Sequence, residues 1–397
     1  MFKTMCASSL LLSGALIPAS HEPPPSATTA VMKVPVRTQP AVDLAICLDT
    51  SGSMQGLIDA ARAKLWAVVN DLALARPQPR LRVALLTYGN DGHQAENGWV
   101  KLDVPFTADL DLVSQHLFAL TTNGGTELVG RVIQRASDEL AWSSERDALR
   151  LMIVAGNESA DQDQQVRFQD ACARSIARGI MVDAIYCGAD GDEIASGWRT
   201  VARLADGHFA AIDHQNGTVA IASPFDTRLA ELSVALNATY IPYGAAGSAG
   251  QWNQREQDQN AGKLSSDAAA ARAVCKSTAN YRCGWDLVDG SRSGEIKLDA
   301  VKADDLPVEL RKLSKAELQK HVDSMWTQRT ELQKQIAELG TQRQAFVDAE
   351  MKKSSLDPSK SFDVVLRGAI RAQARAKGLE FPESQPSAPL AKVEDDC

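Results

Sequence analysis

A cluster of side-chain oxygens follows the apolar segment at residues 42–48. The stretch CLDTSGSM, residues 47–54, places Asp49, Ser51 and Ser53 at alternate positions after the apolar run VDLAICL. An ordinary turn needs about one Asp or Ser and a Gly. The excess of oxygens indicates a binding site, because carboxylate and hydroxyl oxygens are ligands for hard divalent cations such as Mg²⁺.

Two later polar turns carry further oxygen atoms. NGGTE, residues 123–127, presents Thr126 after two glycines that allow close backbone approach, and VAGNES, residues 154–159, presents Asn157. In a parallel sheet, ligands bind beyond the carboxyl ends of the strands. The sequence therefore predicts that the three loops converge on one cation.

The segments around these loops alternate between strand and helix patterns from residue 42 to residue 238. VDLAICL, RVALLTYG, RLMIVAG and IMVDAIYCG are predicted buried strands, WVKLDVPF is a predicted edge strand, and LIDAARAKLWAVVNDLALA has helical spacing. Such alternation predicts βαβ units. The expected fold class is α/β, with a doubly wound, Rossmann-like and mostly parallel sheet.

The three loops together resemble the von Willebrand factor A (VWA) domain and its metal-ion-dependent adhesion site. The resemblance covers roughly residues 42–238 in element order and spacing. It implies that Ser51, Ser53 and Thr126 contact Mg²⁺ or Mn²⁺ directly, while Asp49 and Asn157 hold coordinated waters. It also implies that an Asp or Glu carboxylate of a partner protein completes the coordination of the metal.

The third loop departs from the family pattern. The family usually has an Asp at the position of Asn157. An Asn side chain still accepts a hydrogen bond from a metal-bound water through its amide oxygen. One formal negative charge is lost, so the affinity for a divalent cation is expected to fall. Glu158 and Asp161 are close in sequence and are candidates to replace that charge.

Two other functions remain open. The oxygens of the first loop can instead cap the following helix, and a metal-free VWA scaffold would then bind envelope partners through its helical tail. A Mg²⁺-dependent, phosphatase-like hydrolase also places an Asp at the end of its first strand. Such an enzyme needs a second Asp two residues later, where this chain has Ser51. The sequence therefore favours a binding protein over an enzyme.

The overall charge narrows the choice of partner. The formal net charge is −8, whereas nucleic-acid binding needs a basic face. We therefore expect a protein partner and no nucleic acid. The sequence leaves the oligomeric state open.

The N-terminal residues resemble a secretory signal peptide. Lys3 precedes the apolar run MCASSLLLSGALI, and Ala19 and Ser20 offer a cleavage site, so residues 1–20 are the predicted signal. Residues 21–40 are rich in proline and are a predicted linker. The stretches LNATYIPYG and WDLVDG resemble a bacterial exported subgroup of VWA proteins. We expect a periplasmic or secreted protein with no membrane-spanning segment in the mature chain.

Residues 239–380 form a predicted, mainly α-helical C-terminal region, and residues 381–397 a predicted disordered tail. The Gly-, Gln- and Ala-rich stretch after Tyr240 is expected to be irregular. A long polar helix is expected after it, beginning with a capping box of Ser314 and Glu317. Arg329 and Arg343 occupy its seam positions, which favours packing on its own domain over a coiled-coil dimer.

Export implies an oxidising compartment, so the cysteines are candidates for disulfides. Cys275 and Cys283 flank a short polar connector, which predicts a bridge between them. Cys172 and Cys187 are expected to be too far apart to pair. Cys47 lies in a buried strand and is expected to be a free thiol.

Overall fold

The computed structural model of the chain describes residues 39–212, 221–353 and 362–381. The predicted signal peptide lies outside these residues, as do nearly all of the predicted linker and tail. None of the described helices is long and apolar enough to cross a membrane.

A central sheet dominates the first half of the described chain. Its strands are β1 (Ala41–Asp49), β2 (Arg80–Tyr88), β3 (Val100–Thr107), β4 (Leu149–Gly156), β5 (Ile180–Tyr186) and β6 (Phe209–Ala211). They pair in the order β3-β2-β1-β4-β5-β6, and only β3 is antiparallel to its neighbour. The predicted mostly parallel sheet with an edge strand at WVKLDVPF is confirmed. Because β1 pairs with both β2 and β4, the strand order reverses there, at the position where ligands bind in such folds.

Six helices accompany the strands and five more follow them. The first group is α1 (Gln55–Ala73), α2 (Leu110–Ala119), α3 (Val129–Glu139), α4 (Phe168–Ala177), α5 (Ala195–Leu204) and α6 (Asp226–Asn237). The second group is α7 (Gly247–Leu264), α8 (Ser266–Lys276), α9 (Leu287–Ser293), α10 (Lys315–Lys353) and α11 (Phe362–Ala376). Short 3-10 turns lie at Ala95–Asn97, Leu298–Ala300 and Ala303–Asp305. The predicted α/β fold with a helical C-terminal region is confirmed.

Both faces of the sheet are covered, as the alternation of side chains along a strand requires. On one face Leu44 and Leu48 of β1 join a core with α1, α2 and α6. On the other face Ala45 and Cys47 join a core with α3, α4 and α5. A doubly wound sheet results, because each strand is buried from both sides.

The C-terminal helices pack on the α1 side of the sheet. Ala270 of α8, Ile336 of α10 and Ile370 of α11 belong to the same hydrophobic core as β1 and α1. The capping box is present at the start of α10, where Ser314 N donates to Glu317 Oε2 at 2.8 Å and Glu317 N donates to Ser314 Oγ at 3.3 Å. The long helix lies against its own chain, as its two seam arginines predict.

The prediction for the stretch after Tyr240 is wrong. Residues 247–264 form α7, an 18-residue helix, instead of an irregular connector. Its buried side chains include Gln254 and Gln257, which bond Tyr281 Oη at 3.1 Å and Ser114 Oγ at 2.9 Å. The helix is stabilised by a polar interface, and hydrophobic periodicity cannot reveal such a face.

The predicted Cys275–Cys283 bridge is also wrong. Both cysteines are free and buried, as are Cys47, Cys172 and Cys187. Cys275 belongs to the last turn of α8 and is fully enclosed by the core. Each thiol therefore acts as a small apolar core group, and the expectations for Cys47, Cys172 and Cys187 agree with the structure.

Candidate metal centre

The first loop leaves β1 at Asp49 and is held tightly by its own neighbours. Thr50 donates from its backbone N and its Oγ1 to the carbonyl oxygen of Tyr88, at 2.8 and 3.0 Å. Ser51 N donates to Asp49 Oδ1 at 2.7 Å. Asp49, Thr50 and Ser51 are buried, whereas Ser53 is exposed. The hydroxyls of Ser51 and Ser53 lie 3.4 Å apart, so the loop presents two adjacent hydroxyl oxygens.

These oxygens do not cap the helix that follows them. The N-cap position of α1 is Met54, and no side chain caps that end by a hydrogen bond. The capping interpretation of the first loop is therefore wrong. The hydroxyls of Ser51 and Ser53 therefore do not stabilise the start of α1.

The second loop is fastened to the first by backbone hydrogen bonds. Gly52 N donates to Gly124 O at 2.9 Å, and Asn123 N donates to Thr50 O at 3.0 Å. Thr126 is half-buried and pairs with Gly89 in an isolated antiparallel bridge at the end of β2. Thr126 thus lies at the same edge of the sheet as the first loop.

The third loop reaches the first through a side-chain contact. Asn157 directly follows β4, and its Nδ2 donates to Ser53 Oγ at 3.1 Å. Its Oδ1 is buried and has no hydrogen-bond partner. The loops that carry the predicted residues Asp49, Ser51, Ser53, Thr126 and Asn157 therefore meet at one edge, while their role as a cation site stays a prediction.

Two glycines make room for the Asp49 carboxylate. A β-carbon at Gly89 would lie 2.7 Å from Asp49 Oδ1, and one at Gly156 would lie 3.1 Å from Asp49 Oδ2 and 2.5 Å from Tyr88 Oη. Real β-carbons essentially never approach other atoms within 3.0 Å, so a larger residue at Gly89 would displace the Asp49 carboxylate and one at Gly156 would displace the Tyr88 hydroxyl. Gly89 directly follows β2 and Gly156 ends β4, so the two glycines form a narrow cradle for the terminal side chain of β1.

The cradle is electrostatically unusual. Asp49 is fully buried, and its Oδ2 has no hydrogen-bond partner. Burial raises the pKa of Asp49 to about 7, hydrogen bonding from Ser51 opposes the rise, and the charges of Glu127 and Glu158 add to it. A buried carboxylate with an unsatisfied oxygen is costly unless a cation or donor accompanies it.

Sequence reasoning missed Glu127. This residue follows Thr126 and is only 5% exposed. The β-carbon position at Gly89 that approaches Asp49 Oδ1 also lies 3.0 Å from Glu127 Cγ, so the two side chains converge on one glycine. The signal in the sequence is the acidic residue directly after Thr126 in NGGTE.

The other candidates to replace the missing third-loop charge point to solvent. Glu158 and Asp161 are both exposed. Asp161 Oδ1 accepts a hydrogen bond from Gln169 Nε2 at 3.2 Å. Glu158 affects Asp49 only electrostatically, because its negative charge raises the pKa of Asp49.

Chemically, the arrangement suits a small hard cation that uses hydroxyl ligands. Asp49, Ser51, Ser53 and Thr126 offer only oxygen atoms, which is the donor set of Mg²⁺ and Mn²⁺. Within the described ranges, no three His, Cys, Asp or Glu side chains are grouped as metal ligands. A cation at this edge would therefore depend on the serine and threonine hydroxyls as much as on carboxylates.

Comparison with known proteins agrees with this fold. Residues 43–213 match the family model of the von Willebrand factor type A domain. That segment, less than half of the chain, is similar to VWA domains. No curated protein matches the chain.

Several solved structures are similar to parts of the chain. Proximal thread matrix protein 1 from the mussel byssus, in a structure with a zinc-occupied MIDAS motif, is 13% identical with a TM-score of 0.35. That match covers 44% of this chain and 42% of the mussel protein, so the chain spans about two fifths of that protein's length.

Two others are the pilus adhesin SpaC from Lactobacillus rhamnosus GG and the SpRpn10 VWA domain. SpaC is 14% identical over 45% of this chain and 28% of its own, with a TM-score of 0.35. The SpRpn10 domain is 16% identical over 45% of this chain and 100% of its own, with a TM-score of 0.34.

Proposed function

We propose that this chain is an exported binding protein whose VWA domain holds a divalent cation. Mg²⁺ or Mn²⁺ would be held by Asp49, Ser51, Ser53, Thr126 and Asn157, and the cation would bind an Asp or Glu carboxylate of a partner protein. The observation that carries the proposal is the Asp49 carboxylate, which is fully buried, has an unpartnered oxygen and lies where three loops meet.

The residues at this edge fit such a cation. Burial raises the pKa of Asp49 to about 7 and no donor reaches its Oδ2, so a bound cation would stabilise the ionised form of this side chain. The hydroxyls of Ser51 and Ser53 bond each other and Asn157 but do not cap α1. When bound, the cation would supply a concentrated positive charge that attracts an anionic side chain.

The amide of Asn157 also fits, provided that its oxygen is used. Its Oδ1 is buried without a partner, while its Nδ2 donates to Ser53 Oγ. An amide oxygen accepts hydrogen bonds from water and ligates hard cations. We therefore assign the third-loop position to Asn157 Oδ1.

Binding rather than catalysis is the role that these residues support. A phosphatase-like mechanism needs a second acid near Asp49 that protonates a leaving group, and its position is taken by Ser51. Export to the periplasm or the outside of the cell rests on the signal-like residues 1–20 of the sequence. Such a location would place the VWA domain among envelope or extracellular proteins.

The decisive experiment is titration of the purified chain with Mn²⁺ by calorimetry. We expect one bound Mn²⁺ per chain, competed by Mg²⁺, and no binding by the Asp49→Ala variant. Asp323→Ala removes an exposed acid of α10 and is the matched control, which should bind as the wild type does. Equal Mn²⁺ affinity in the wild type and Asp49→Ala would overturn the proposal.

The partner's chemistry is tested separately. With Mn²⁺ present, a C-terminally amidated peptide that contains one internal, exposed Glu should bind, and its Gln counterpart should not. A chelator should abolish that binding. Binding of both peptides alike, or binding that persists in chelator, would show that the carboxylate is not read through the metal.

A further inference from the structure

The proposed site lacks a charge that its third loop would be expected to supply. Asn157 carries no formal charge, and the acids nearest to it in sequence, Glu158 and Asp161, are exposed. Asp49 alone would leave a divalent cation with a large uncompensated charge. The structure offers another acid from a different loop.

Most of the other buried acids among the described residues are paired with arginine. Among the described residues, these aspartates each contact one: Asp43, Asp71, Asp111, Asp163, Asp226 and Asp286. Asp183 is an exception: His208 and Gln373 contact it, and its Oδ2 has no hydrogen-bond partner. Such pairing is expected, because burying an unpaired charge costs a large amount of free energy.

Asp49 and Glu127 also depart from that pattern, and unlike Asp183 they are neighbours. Within the described part of the chain, neither has a Lys, Arg or His partner at ion-pair distance. Asp49 accepts from Ser51 N, and Glu127 accepts only a 3.3 Å bond from Gln162 Nε2. Two neighbouring buried carboxylates without a cationic side chain form a local excess of negative charge at the edge where the three loops meet.

The geometry directs both acids to the same place. The two side chains converge on Gly89, which directly follows β2, and a β-carbon at Gly125 would lie 3.3 Å from Glu127 Oε1. Glycines at both positions thus leave the space that the Glu127 side chain occupies. Thr126, a proposed ligand, immediately precedes Glu127, so one loop brings a hydroxyl and a carboxylate to the site together.

We propose that Glu127 is the second carboxylate of the cation site and supplies from the second loop the charge that Asn157 lacks in the third. This inference rests on the proposed cation site. The cation takes the part that arginine takes at most of the other buried acids. The site would then favour a divalent over a monovalent cation, because two acidic side chains converge there.

Calorimetry with Mn²⁺ alone tests the assignment. Glu127→Gln keeps the shape and removes the charge, and we expect it to weaken Mn²⁺ binding by at least about tenfold, as expected when a neighbouring charge is lost from a partly buried site. Glu158→Gln, the exposed control, should change the affinity by less than about threefold. Adding Asn157→Asp to Glu127→Gln should restore most of the affinity, because it returns the charge through the third loop.

Thermal unfolding in chelator distinguishes a role in cation binding from a structural role for Glu127, because the two roles predict opposite changes in the melting temperature of Glu127→Gln. Without metal, Glu127→Gln removes one of two neighbouring buried charges, so its melting temperature should equal or exceed that of the wild type. A lower melting temperature would mean that the carboxylate is a structural acceptor, and the assignment would be wrong. A Glu127→Gln variant that does not fold would likewise mean that the carboxylate is needed for the structure, and the assignment would be wrong.

The outcomes separate this inference from the proposed function. If the wild type binds no Mn²⁺, both fail. If Asp49→Ala loses Mn²⁺ but Glu127→Gln binds as tightly as the wild type, the cation site stands and the role of Glu127 is refuted.

Discussion

Arg329 Nη1 lies 2.7 Å from Asp286 Oδ2, and both side chains are almost completely buried. The same nitrogen lies 2.6 Å from Asp289 Oδ1, and Arg329 Nη2 donates to Thr239 O at 2.7 Å. The guanidinium also lies 3.9 Å from the centre of the Tyr240 ring. One residue of α10 thereby joins α9 to the segment directly after α6.

Arg329→Ala should destabilise the protein strongly. Removing one partner of a buried ion pair leaves a buried charge uncompensated, which costs about 3–5 kcal/mol. We expect a loss of that size in the free energy of unfolding measured in urea. Arg292→Ala removes the exposed pair with Asp323 and should cost less than about 1 kcal/mol. Similar losses in both variants would contradict the anchoring role of Arg329.

Asp258→Asn should change the dependence of stability on pH. Burial opposes ionisation of Asp258, yet Lys276 and Arg272 outweigh it and lower its pKa from 3.8 to about 2. The ionised form is therefore favoured by folding, and this stabilisation is present above pH 4 and is lost as the pH falls toward 2. The variant should lose about 2 kcal/mol or more at pH 7. Its deficit relative to the wild type should shrink between pH 4 and pH 2 in urea unfolding, and a constant deficit would refute the assignment.

Gly156→Ala should disturb the cradle of Asp49. The new β-carbon would lie 2.5 Å from Tyr88 Oη, which donates to Ala155 O at 3.0 Å, so the ring or the strand must move. Overpacking of this kind costs about 1–3 kcal/mol. We expect a lower melting temperature and weaker Mn²⁺ binding. Gly191→Ala meets no atom within 4 Å and is the matched control, which should alter neither measurement.

The double variant Ser51→Ala/Ser53→Ala should lose Mn²⁺ binding while it stays folded. The two hydroxyls bond each other and Asn157, and their loss removes cation ligands without removing a helix cap. We expect a stability loss below about 1.5 kcal/mol. Ser144→Ala, an exposed change at the opposite edge of the sheet, should leave calorimetry unchanged. Undiminished Mn²⁺ binding by the double variant would show that the hydroxyls are not ligands.

Cys275 and Cys283 should be found as free thiols. Both are buried, and burial raises the pKa of Cys275 to about 12, so its reactive thiolate is scarce at neutral pH. Alkylation followed by peptide mapping should label neither residue in the native protein and both after denaturation without a reductant. A peptide pair joined through the two cysteines would contradict the structure.

The sequence predicts an element correctly where the spacing of its hydrophobic residues and the residue types of the adjoining turn indicate the same structure. The apolar run of β1 and the polar loop after it placed Asp49 at a strand end, and β3 was recognised as an edge strand by its alternation. The long helix α10 was recognised by its capping box. These features are local, so a single sequence contains what determines them.

The features that the sequence did not predict, the helix α7 and the position of Glu127, share a different cause. The buried face of α7 is made of Gln254 and Gln257, which a hydrophobic pattern does not register. Glu127 looked like an ordinary polar residue of a turn, and only its approach to Gly89 and Asp49 distinguishes it. In both cases the meaning of a polar side chain depends on partners that are distant along the chain.

The placement of α11 has a consequence for how this protein can be divided. Leu366, Ile370 and Ala374 of α11, with Leu379 beyond it, are buried in the same core as Leu44 and Leu65, more than three hundred positions earlier in the sequence. Arg371 also contacts Asp71 of α1, and Glu380 exchanges backbone hydrogen bonds with Arg76. The segment that matches the VWA family is therefore not an independent folding unit. If the chain were cut at residue 213 or 238, the apolar surface of α1 that α11 buries would be exposed to solvent.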